Sequence, residues 1–120
     1  MKQGEKIRLG ISIGDLNGIG SEVILRTFED ERMLEICTPV IFASVKTMAV
    51  FKKLHRSKID FHGVEEPTDV IDGRINVVNV WKEPVQINLG VEEKTAGQYA
   101  FKSLKAATRA LKTGEVDVLV

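Results

Sequence analysis

The sequence predicts an α/β protein with a mostly parallel β-sheet. Strand-like and helix-like segments alternate along its 120 residues, an order that is typical of strands joined by crossover helices. The strand-like segments are short apolar runs, which indicates that they are buried. Hydrophobic residues make up 43% of the chain, which is enough for a packed core and too much for a disordered segment.

Five strands are predicted from runs of β-branched and other apolar residues that end at turn signals. They cover residues 7–13, 39–43, 59–61, 75–81 and 116–120. The third is the shortest, and residues 65–69 after it have the composition of a solvated connection. Pro84 and Gly90 predict an irregular segment before the last helix.

Two helices are predicted after the first two strands. The first begins near Ser21, and charged residues 29–32 interrupt it before residues 33–36 continue. Its inward residues are predicted to be Val23, Ile24, Thr27 and Phe28. Ser44 is the predicted cap of the second helix, which runs to residue 54. Its predicted apolar face consists of Val45, Met48, Ala49 and Leu54.

The longest helix is predicted over residues 95–113, with Gly114 at its exit. Its apolar residues recur at spacings of three or four and are predicted to face the sheet: Ala96, Ala100, Leu104, Ala107 and Leu111. Basic side chains occupy much of the remaining surface: Lys102, Lys105, Arg109 and Lys112. We interpret this basic series as a solvated face, with a dimer contact as the alternative.

The composition excludes several classes of protein. Lys plus Arg and Asp plus Glu both number 17, so we expect neither nucleic acid nor a membrane surface as a partner. No apolar run approaches the roughly 18 residues of a membrane span, and residues 1–6 lack the apolar segment of a signal peptide. The single cysteine, Cys37, excludes an intramolecular disulfide. We therefore expect a cytoplasmic protein.

Residues 14–20, Gly-Asp-Leu-Asn-Gly-Ile-Gly, join the first predicted strand to the first predicted helix, and we call them the glycine turn. Glycine reaches positive φ at little cost and lets a ligand approach the backbone. The first amides of a helix lack internal partners, so the turn could offer donors to an anionic or polar ligand. A ligand-facing role and a purely structural role are equally compatible with these residues.

The glycine turn does not match two common phosphate-binding motifs. A Walker loop needs a lysine after its last glycine, whereas Ser21 and Glu22 follow Gly20. The dinucleotide fingerprint needs a further glycine at the position of Val23. The carboxylates of Asp15 and Glu22 would also repel a pyrophosphate unless a cation lay between them.

No catalytic residue and no metal site is predicted in these residues. His55 and His62 have no carboxylates or cysteines at metal-site spacing, and we interpret both as surface or packing residues. No nucleophile and base pair is visible, and Cys37 is interpreted as a buried small apolar residue. Trp81 is interpreted as a packing residue at a strand end.

The last predicted strand finishes at the final residue, Val120. Open α/β sheets bind ligands beyond the carboxyl ends of their strands, and here that loop would begin after residue 120. We therefore expect the sequence to be part of a larger α/β protein. A domain that ends in an edge strand is the alternative.

The segment GDLNGIGSE, between a strand and a helix, resembles the amino-terminal signature of the 4-hydroxythreonine-4-phosphate dehydrogenase family, whose usual form is close to GDPAGIGPE. The matching residues are Gly14, Asp15, Gly18, Ile19, Gly20 and Glu22, whereas Leu16, Asn17 and Ser21 differ. Residues 93–100 and 114–120 resemble the family's helix and strand before its next active-site loop. The resemblance spans nearly all 120 residues and about the first third of a family member.

The resemblance implies a dehydrogenase of pyridoxal phosphate (vitamin B6) synthesis. Such an enzyme oxidises the phosphorylated substrate 4-phosphooxy-L-threonine with NAD, and the product then loses carbon dioxide. The resemblance also implies a homodimer and a divalent metal (Zn, Mg or Co), held by histidines that lie outside this segment. It implies a three-layer α/β/α fold like that of the isocitrate and isopropylmalate dehydrogenases, with residues 1–120 as its amino-terminal portion.

The site residues follow from the same resemblance. Gly14, Asp15, Asn17, Gly18 and Gly20 are expected to line a cofactor or substrate cleft. The segment alone is expected to be inactive. Two alternatives stay open: a relative of the isocitrate and isopropylmalate dehydrogenases, and a non-catalytic α/β ligand-binding module.

Overall fold

The computed structural model describes residues 6–120, in which parallel strands form a five-stranded sheet. The strands are β1 (Ile7–Ser12), β2 (Cys37–Ala43), β3 (His62–Val64), β4 (Asn76–Asn79) and β5 (Val118–Leu119). Their order across the sheet is β3-β4-β2-β1-β5, and every neighbouring pair is parallel. The prediction that a signal peptide is absent is based on residues 1–6, of which residues 1–5 lie outside the described residues.

Helices cover both faces of the sheet, so the predicted three-layer arrangement is confirmed. The helices are α1 (Gly20–Phe28), α2 (Met33–Ile36), α3 (Val45–Leu54) and α4 (Lys94–Lys112). A short 3-10 turn, Pro67–Asp69, lies in the connection from β3 to β4. α1, α2 and α3 pack on one face and most of α4 packs on the other. No helix in residues 6–120 combines the length and the apolar character needed to cross a membrane.

The central strand β2 is buried along its whole length and joins the two cores. Successive side chains of a strand point to opposite faces, so Ile41 lies under α1 and α3 while Phe42 lies under α4. The first core is filled by large side chains of the helices, namely Leu25, Phe28, Met48 and Phe51. The second core receives small side chains from α4, namely Ala107 and Ala110.

The predicted inward face of α1 is wrong in part. Ser21, Leu25 and Phe28 are buried, whereas Val23 is 56% exposed. Spacings of four and three place these buried residues on one side of the helix, and Val23 points away from it. Val23, Ile24 and Leu25 are adjacent apolar residues that point to different sides of the helix, so local spacing does not decide which side meets the sheet.

The prediction for α3 has the right ends and a partly wrong face. Ser44 caps the helix as predicted, since its Oγ accepts a hydrogen bond from the Thr47 amide at 3.1 Å. The buried residues are Thr47, Met48 and Phe51. Ala49 and Leu54, which were predicted to be inward, are exposed: Ala49 points away from the side of Phe51, and Leu54 is the last residue of the helix.

α4 packs on the sheet through small side chains rather than through the predicted leucines. Its buried residues are Ala96, Ser103, Ala107 and Ala110. Leu104 is 48% exposed and Leu111 is 39% exposed, so their predicted inward position is wrong. Small side chains let the helix approach the sheet closely, and the two leucines then lie along its flank. Gly114 ends the helix with φ +78°, as predicted.

All five strands differ from their predicted bounds, β1 and β2 at one end and the other three at both ends. The strand predicted over residues 59–61 lies later, at β3, because its register is set by pairing of His62 with Asn76, the first residue of β4. β4 is shorter than predicted, and residues 80–93 follow it as an irregular segment that we call the β4–α4 loop. β5 is also short, although the Asp117 amide donates to the Arg8 carbonyl at 2.9 Å and extends its pairing with β1.

Candidate functional site

The glycine turn follows β1 at the carboxyl edge of the sheet. Gly14 is exposed and has φ +71°, a conformation that glycine adopts at little cost. The Asp15 carboxylate accepts a hydrogen bond from the Asn17 amide at 2.9 Å, and the Asp15 carbonyl accepts one from the Gly18 amide at 3.0 Å. The turn is therefore closed by its own hydrogen bonds, with the Asp15 side chain at its outer surface.

α1 starts directly from this turn without a side-chain cap. Ile19 is the N-cap residue, and it is 78% exposed and has no polar side chain. By contrast, α3 is capped twice, because Ser44 accepts from Thr47 and the Asn79 side chain accepts from the Val45 amide at 2.8 Å. The first amides of α1 are thus left for water or a ligand.

Asn17 is the buried polar residue of the turn and is 3% exposed. Its side-chain amide donates to the Val91 carbonyl at 2.9 Å and to the Glu93 carboxylate at 3.2 Å. Its side-chain oxygen accepts from the Asn88 amide at 2.8 Å. Its backbone carbonyl accepts from the Gly90 amide at 2.7 Å. The polar groups of the Asn17 side chain are therefore all directed to the β4–α4 loop.

Glu93 completes this contact, and its two carboxylate oxygens have different partners. One oxygen accepts from Asn17 and the other accepts from the Asn88 side chain at 2.8 Å. We call Asn17, Asn88 and Glu93 the asparagine clasp. The clasp holds the end of the β4–α4 loop against the glycine turn, at the point where α4 begins.

Two further side chains, Ser103 and Trp81, fix the elements around this edge. The Ser103 hydroxyl of α4 accepts from the Ile13 amide at 2.9 Å and donates to the Phe42 carbonyl, so it links β1 and β2 at their carboxyl ends. The Trp81 indole donates to the Thr47 hydroxyl at 3.1 Å and packs against the Tyr99 ring. The predicted packing role of Trp81 is confirmed, since it is 4% exposed.

The structure separates the predicted site residues into two groups. Gly14, Asp15 and Gly20 are exposed and Gly18 is half-buried, so these residues share the outer surface of the turn. Asn17 lies beneath that surface with its side chain turned to the loop. The outer surface can offer backbone groups and one carboxylate to a ligand, while Asn17 supports it from inside.

The three residues that differ from the usual family signature are the buried residues of this segment. Leu16 and Ser21 are each 1% exposed, and Asn17 is 3% exposed. The matching residues are exposed or half-buried. This chain therefore keeps the outer surface of the signature and changes its inner packing.

Ser21 and His55 form a pair that the sequence did not reveal. The Ser21 hydroxyl lies 3.4 Å from His55 Nε2, and the His55 ring stacks on Phe51. Residues 34 positions apart in the chain carry no local signal for such a contact. Because Ser21 is buried, the pair links α1 to α3 and does not present a nucleophile to a substrate.

Cys37 is buried at the start of β2, as predicted. Its Sγ donates to the Met33 carbonyl at 3.3 Å. Burial raises the pKa of the Cys37 thiol, and the positive charge of Lys6 opposes part of this change. The protonated thiol is therefore favoured, which makes Cys37 a packing residue rather than a nucleophile.

The residues that the structure describes contain no group of three or more His, Cys, Asp or Glu side chains that could hold a metal ion. His62 lies at the amino end of β3, away from the glycine turn, and the His55 ring is engaged with Phe51. An open cleft does lie at the amino-terminal edge of the sheet. Its lining charges are mixed, with Arg26, Arg56, Lys58 and Arg74 beside Glu29, Glu31 and Asp60.

Comparison with known proteins identifies relatives of this chain. A 4-hydroxythreonine-4-phosphate dehydrogenase of Bacteroides thetaiotaomicron is 38% identical over 115 residues, which are 96% of this chain and 32% of that protein. A D-threonate 4-phosphate dehydrogenase of Cupriavidus necator is 24% identical over 113 residues, which are 92% of this chain and 34% of that protein. The chain thus spans about a third of the length of these relatives.

Solved structures share the fold. The crystal structure of a 4-hydroxythreonine-4-phosphate dehydrogenase from Burkholderia phymatum matches with a TM-score of 0.85 at 19% identity, over 97% of this chain and 36% of that chain. The enzyme of the same name from Klebsiella pneumoniae matches with a TM-score of 0.74 at 21% identity, over 95% of this chain and 35% of that chain. The predicted parallel α/β fold is therefore confirmed.

The family model described as pyridoxal phosphate biosynthetic protein PdxA matches residues 35–120. These residues run from the end of α2 to β5 and include β2, α3 and α4. The match begins after the glycine turn, so it is independent of the turn's resemblance to the family signature. The chain belongs to the PdxA family of pyridoxal phosphate biosynthetic proteins.

Proposed function

We propose that the complete protein containing this chain is an NAD-dependent dehydrogenase that oxidises 4-phosphooxy-L-threonine in pyridoxal phosphate synthesis. The observation that carries the proposal is 38% identity, across 96% of the chain, to an enzyme named for that substrate. The proposal includes a homodimer in the cytoplasm and a divalent metal. The family match and this identity favour it over an isocitrate or isopropylmalate dehydrogenase and over a non-catalytic binding module.

The outer surface of the glycine turn is the proposed wall of the cofactor or substrate cleft. Ligands of open α/β sheets bind beyond the carboxyl ends of the strands, and the turn follows β1 at that edge. A Cβ atom added at Gly14 would meet no atom within 4 Å, so the backbone there borders open space. The exposed backbone of Gly14 and Gly20 fits a polar group of NAD that approaches closely.

The carboxylates near the glycine turn indicate which part of a ligand could bind there. The Asp15 carboxylate is exposed, and it disfavours a phosphate beside it. The Glu22 carboxylate is partly balanced by Arg26 Nε at 3.9 Å. We therefore place the hydroxyl and amide groups of NAD at the turn, where Asp15 would accept hydrogen bonds and the first amides of α1 would donate them.

In this proposal, the residues of this chain bind and orient the cofactor or the substrate. NAD, when bound, would accept a hydride from the secondary alcohol of the substrate. The described residues do not fit a metal ion, because no cluster of ligating side chains is present among them. The proposed metal would need ligands outside residues 6–120, since the His55 ring stacks on Phe51 and His62 lies in β3 away from the glycine turn.

A second substrate is favoured by a specific relative. The enzyme of Cupriavidus necator, 24% identical, is named for D-threonate 4-phosphate. That compound and 4-phosphooxy-L-threonine are both phosphorylated four-carbon hydroxy acids, and they differ at the second carbon, which carries a hydroxyl or an amino group. The higher identity to the enzyme of Bacteroides thetaiotaomicron favours the amino compound.

The experiment is a direct comparison of the two substrates. The complete purified protein is mixed with NAD, a divalent metal and either compound, and the formation of NADH is followed by absorbance. We expect a higher kcat/KM for 4-phosphooxy-L-threonine. A preference for D-threonate 4-phosphate would replace the first substrate with the second. Oxidation of neither compound would contradict the proposed function.

A further inference from the structure

We propose that Asn17 is a positioning residue, which holds the β4–α4 loop against the glycine turn and thereby fixes the shape of the ligand cleft. The proposal deepens the proposed function, since it concerns the same cleft. It rests on the contacts of the asparagine clasp, which join two segments that are more than 70 residues apart in the chain.

The β4–α4 loop depends on the clasp for its position. Loops of this length without regular structure are uncommon in compact domains and are often functional. Val85 and Ile87 pack against the core, whereas Leu89 and Val91 are each 47% exposed. Beyond residue 87, polar contacts with Asn17 therefore hold the loop more than apolar packing does.

Asn17 suits this role because its polar groups and those of the loop are complementary. The side-chain amide of asparagine supplies two donors and one acceptor oxygen. Both kinds of group are used, by Val91, Glu93 and Asn88. A buried group that loses its partner has a large energetic cost, so the loop end is confined to one position. The alanine of the usual family signature could not make these contacts.

The position of the loop matters to the cleft because both lie at the same edge of the sheet. The Gly90 amide donates to the backbone carbonyl of Asn17, one residue before Gly18. Movement of the loop end would therefore move the backbone that faces the ligand. Misplacement of a binding surface weakens the binding of the ligand and lowers the rate of its reaction.

The test uses the complete protein and exchanges the polar groups of the clasp. Asn17→Asp places a carboxylate against the Glu93 carboxylate, and we expect KM for NAD or for the phosphorylated substrate to rise about tenfold. Glu93→Gln removes an acceptor and should act in the same direction. The double variant N17D/E93Q restores a donor and acceptor pair with the two roles exchanged, so we expect partial recovery of KM. Glu92→Gln, which removes the neighbouring exposed carboxylate, is the matched control and should leave KM unchanged.

Amide hydrogen exchange at Gly90 measures the clasp without any substrate. We expect exchange to become about tenfold faster in N17D and E93Q and to slow again in the double variant. The proposal is overturned if exchange at Gly90 is unchanged in both single variants. It is also overturned if exchange is faster while KM for both ligands stays at the wild-type value. If the wild-type protein oxidises neither substrate, the proposed function fails, and exchange at Gly90 still decides whether Asn17 holds the loop.

Discussion

At the scale of single residues, a substitution at Gly20 can test the approach of a ligand to the backbone without disturbing the fold. A Cβ atom at Gly20 would lie 3.4 Å from the Ile13 carbonyl, which is an ordinary contact, and the residue does not have positive φ. A side chain there should be accommodated by the fold and should occupy the exposed surface of the turn.

We therefore predict that Gly20→Val folds normally and raises KM for NAD or substrate by about tenfold or more, because its branched side chain blocks close approach. The measurement is steady-state kinetics of the complete protein together with a thermal unfolding curve. Gly97→Val is the control, since Gly97 is also exposed in the first turns of a helix and has open space around it. Equal KM values in the two variants would remove Gly20 from the cleft.

The burial of Cys37 predicts that its contribution to the free energy of unfolding depends on pH. Burial raises the pKa of its thiol in the folded state, so the contribution of the neutral thiol is complete below the unfolded pKa and is lost as pH rises through the folded pKa. We expect the difference in unfolding free energy between wild type and Cys37→Ala to be constant below about pH 8 and to shrink at higher pH.

Urea unfolding of both proteins across this pH range measures the difference. The two proteins share all their other ionisable groups, so the effects of those groups cancel when the two are compared. A difference that stays constant up to the highest pH at which the protein remains folded would contradict the raised pKa.

At the scale of elements, α4 has three distinct sides. Small buried residues face the sheet, basic residues face solvent, and Leu104, Leu111 and Phe101 form an exposed apolar flank. Phe101 is 67% exposed, so size alone does not place a residue in the core.

The packing of α4 predicts that substitutions at two nearby positions change the free energy of unfolding by very different amounts. Ala107 is fully buried, and we expect Ala107→Leu to lower the free energy of unfolding by about 1–3 kcal/mol through overpacking. Leu104→Lys should change it by less than about 0.5 kcal/mol, because the side chain is half exposed and both residues favour helices. Urea unfolding measures both. A larger loss in Leu104→Lys than in Ala107→Leu would show that the leucine flank is covered in the complete protein.

The features that the sequence predicted well are those that depend on residues adjacent in the chain. The cap at Ser44 and the end of α4 at Gly114 depend on residues within one turn of the helix. The predicted inward face of α4 was right at Ala96 and Ala107 and wrong at the two leucines, because apolar and small residues form adjacent stripes and only the sheet selects between them.

The asparagine clasp could not be predicted, because its partners are distant in the chain. Asn76 is also fully buried without a prediction from the sequence, although its partners are near in the chain: the Ile71 amide and carbonyl and the Arg74 carbonyl. An asparagine in a turn or strand looks solvated by composition alone. The glycine turn was found from the sequence because its signal is contained in seven adjacent residues.

At the scale of the whole molecule, residues 6–120 contain the proposed wall of the cleft, and no cluster of metal-ligating side chains is found among these residues. We predict that the 120-residue chain, expressed alone, does not oxidise 4-phosphooxy-L-threonine with NAD and a divalent metal. The measurement is NADH formation, with the complete protein as the positive control and circular dichroism as the check that the chain is folded. Turnover by the folded chain alone would show that these residues suffice for the reaction.

The strand order has a consequence for how the chain is made. β1 lies between β2 and β5, and the Arg8 amide donates to Asp117, which is 109 residues later in the sequence. While a ribosome synthesises the protein, β1 can pair with β2 early, but its other edge stays open until nearly the whole segment has left the ribosome. Unpaired strand edges invite association with other chains, so the β5 edge of β1 is open to such contacts for most of the synthesis of this segment.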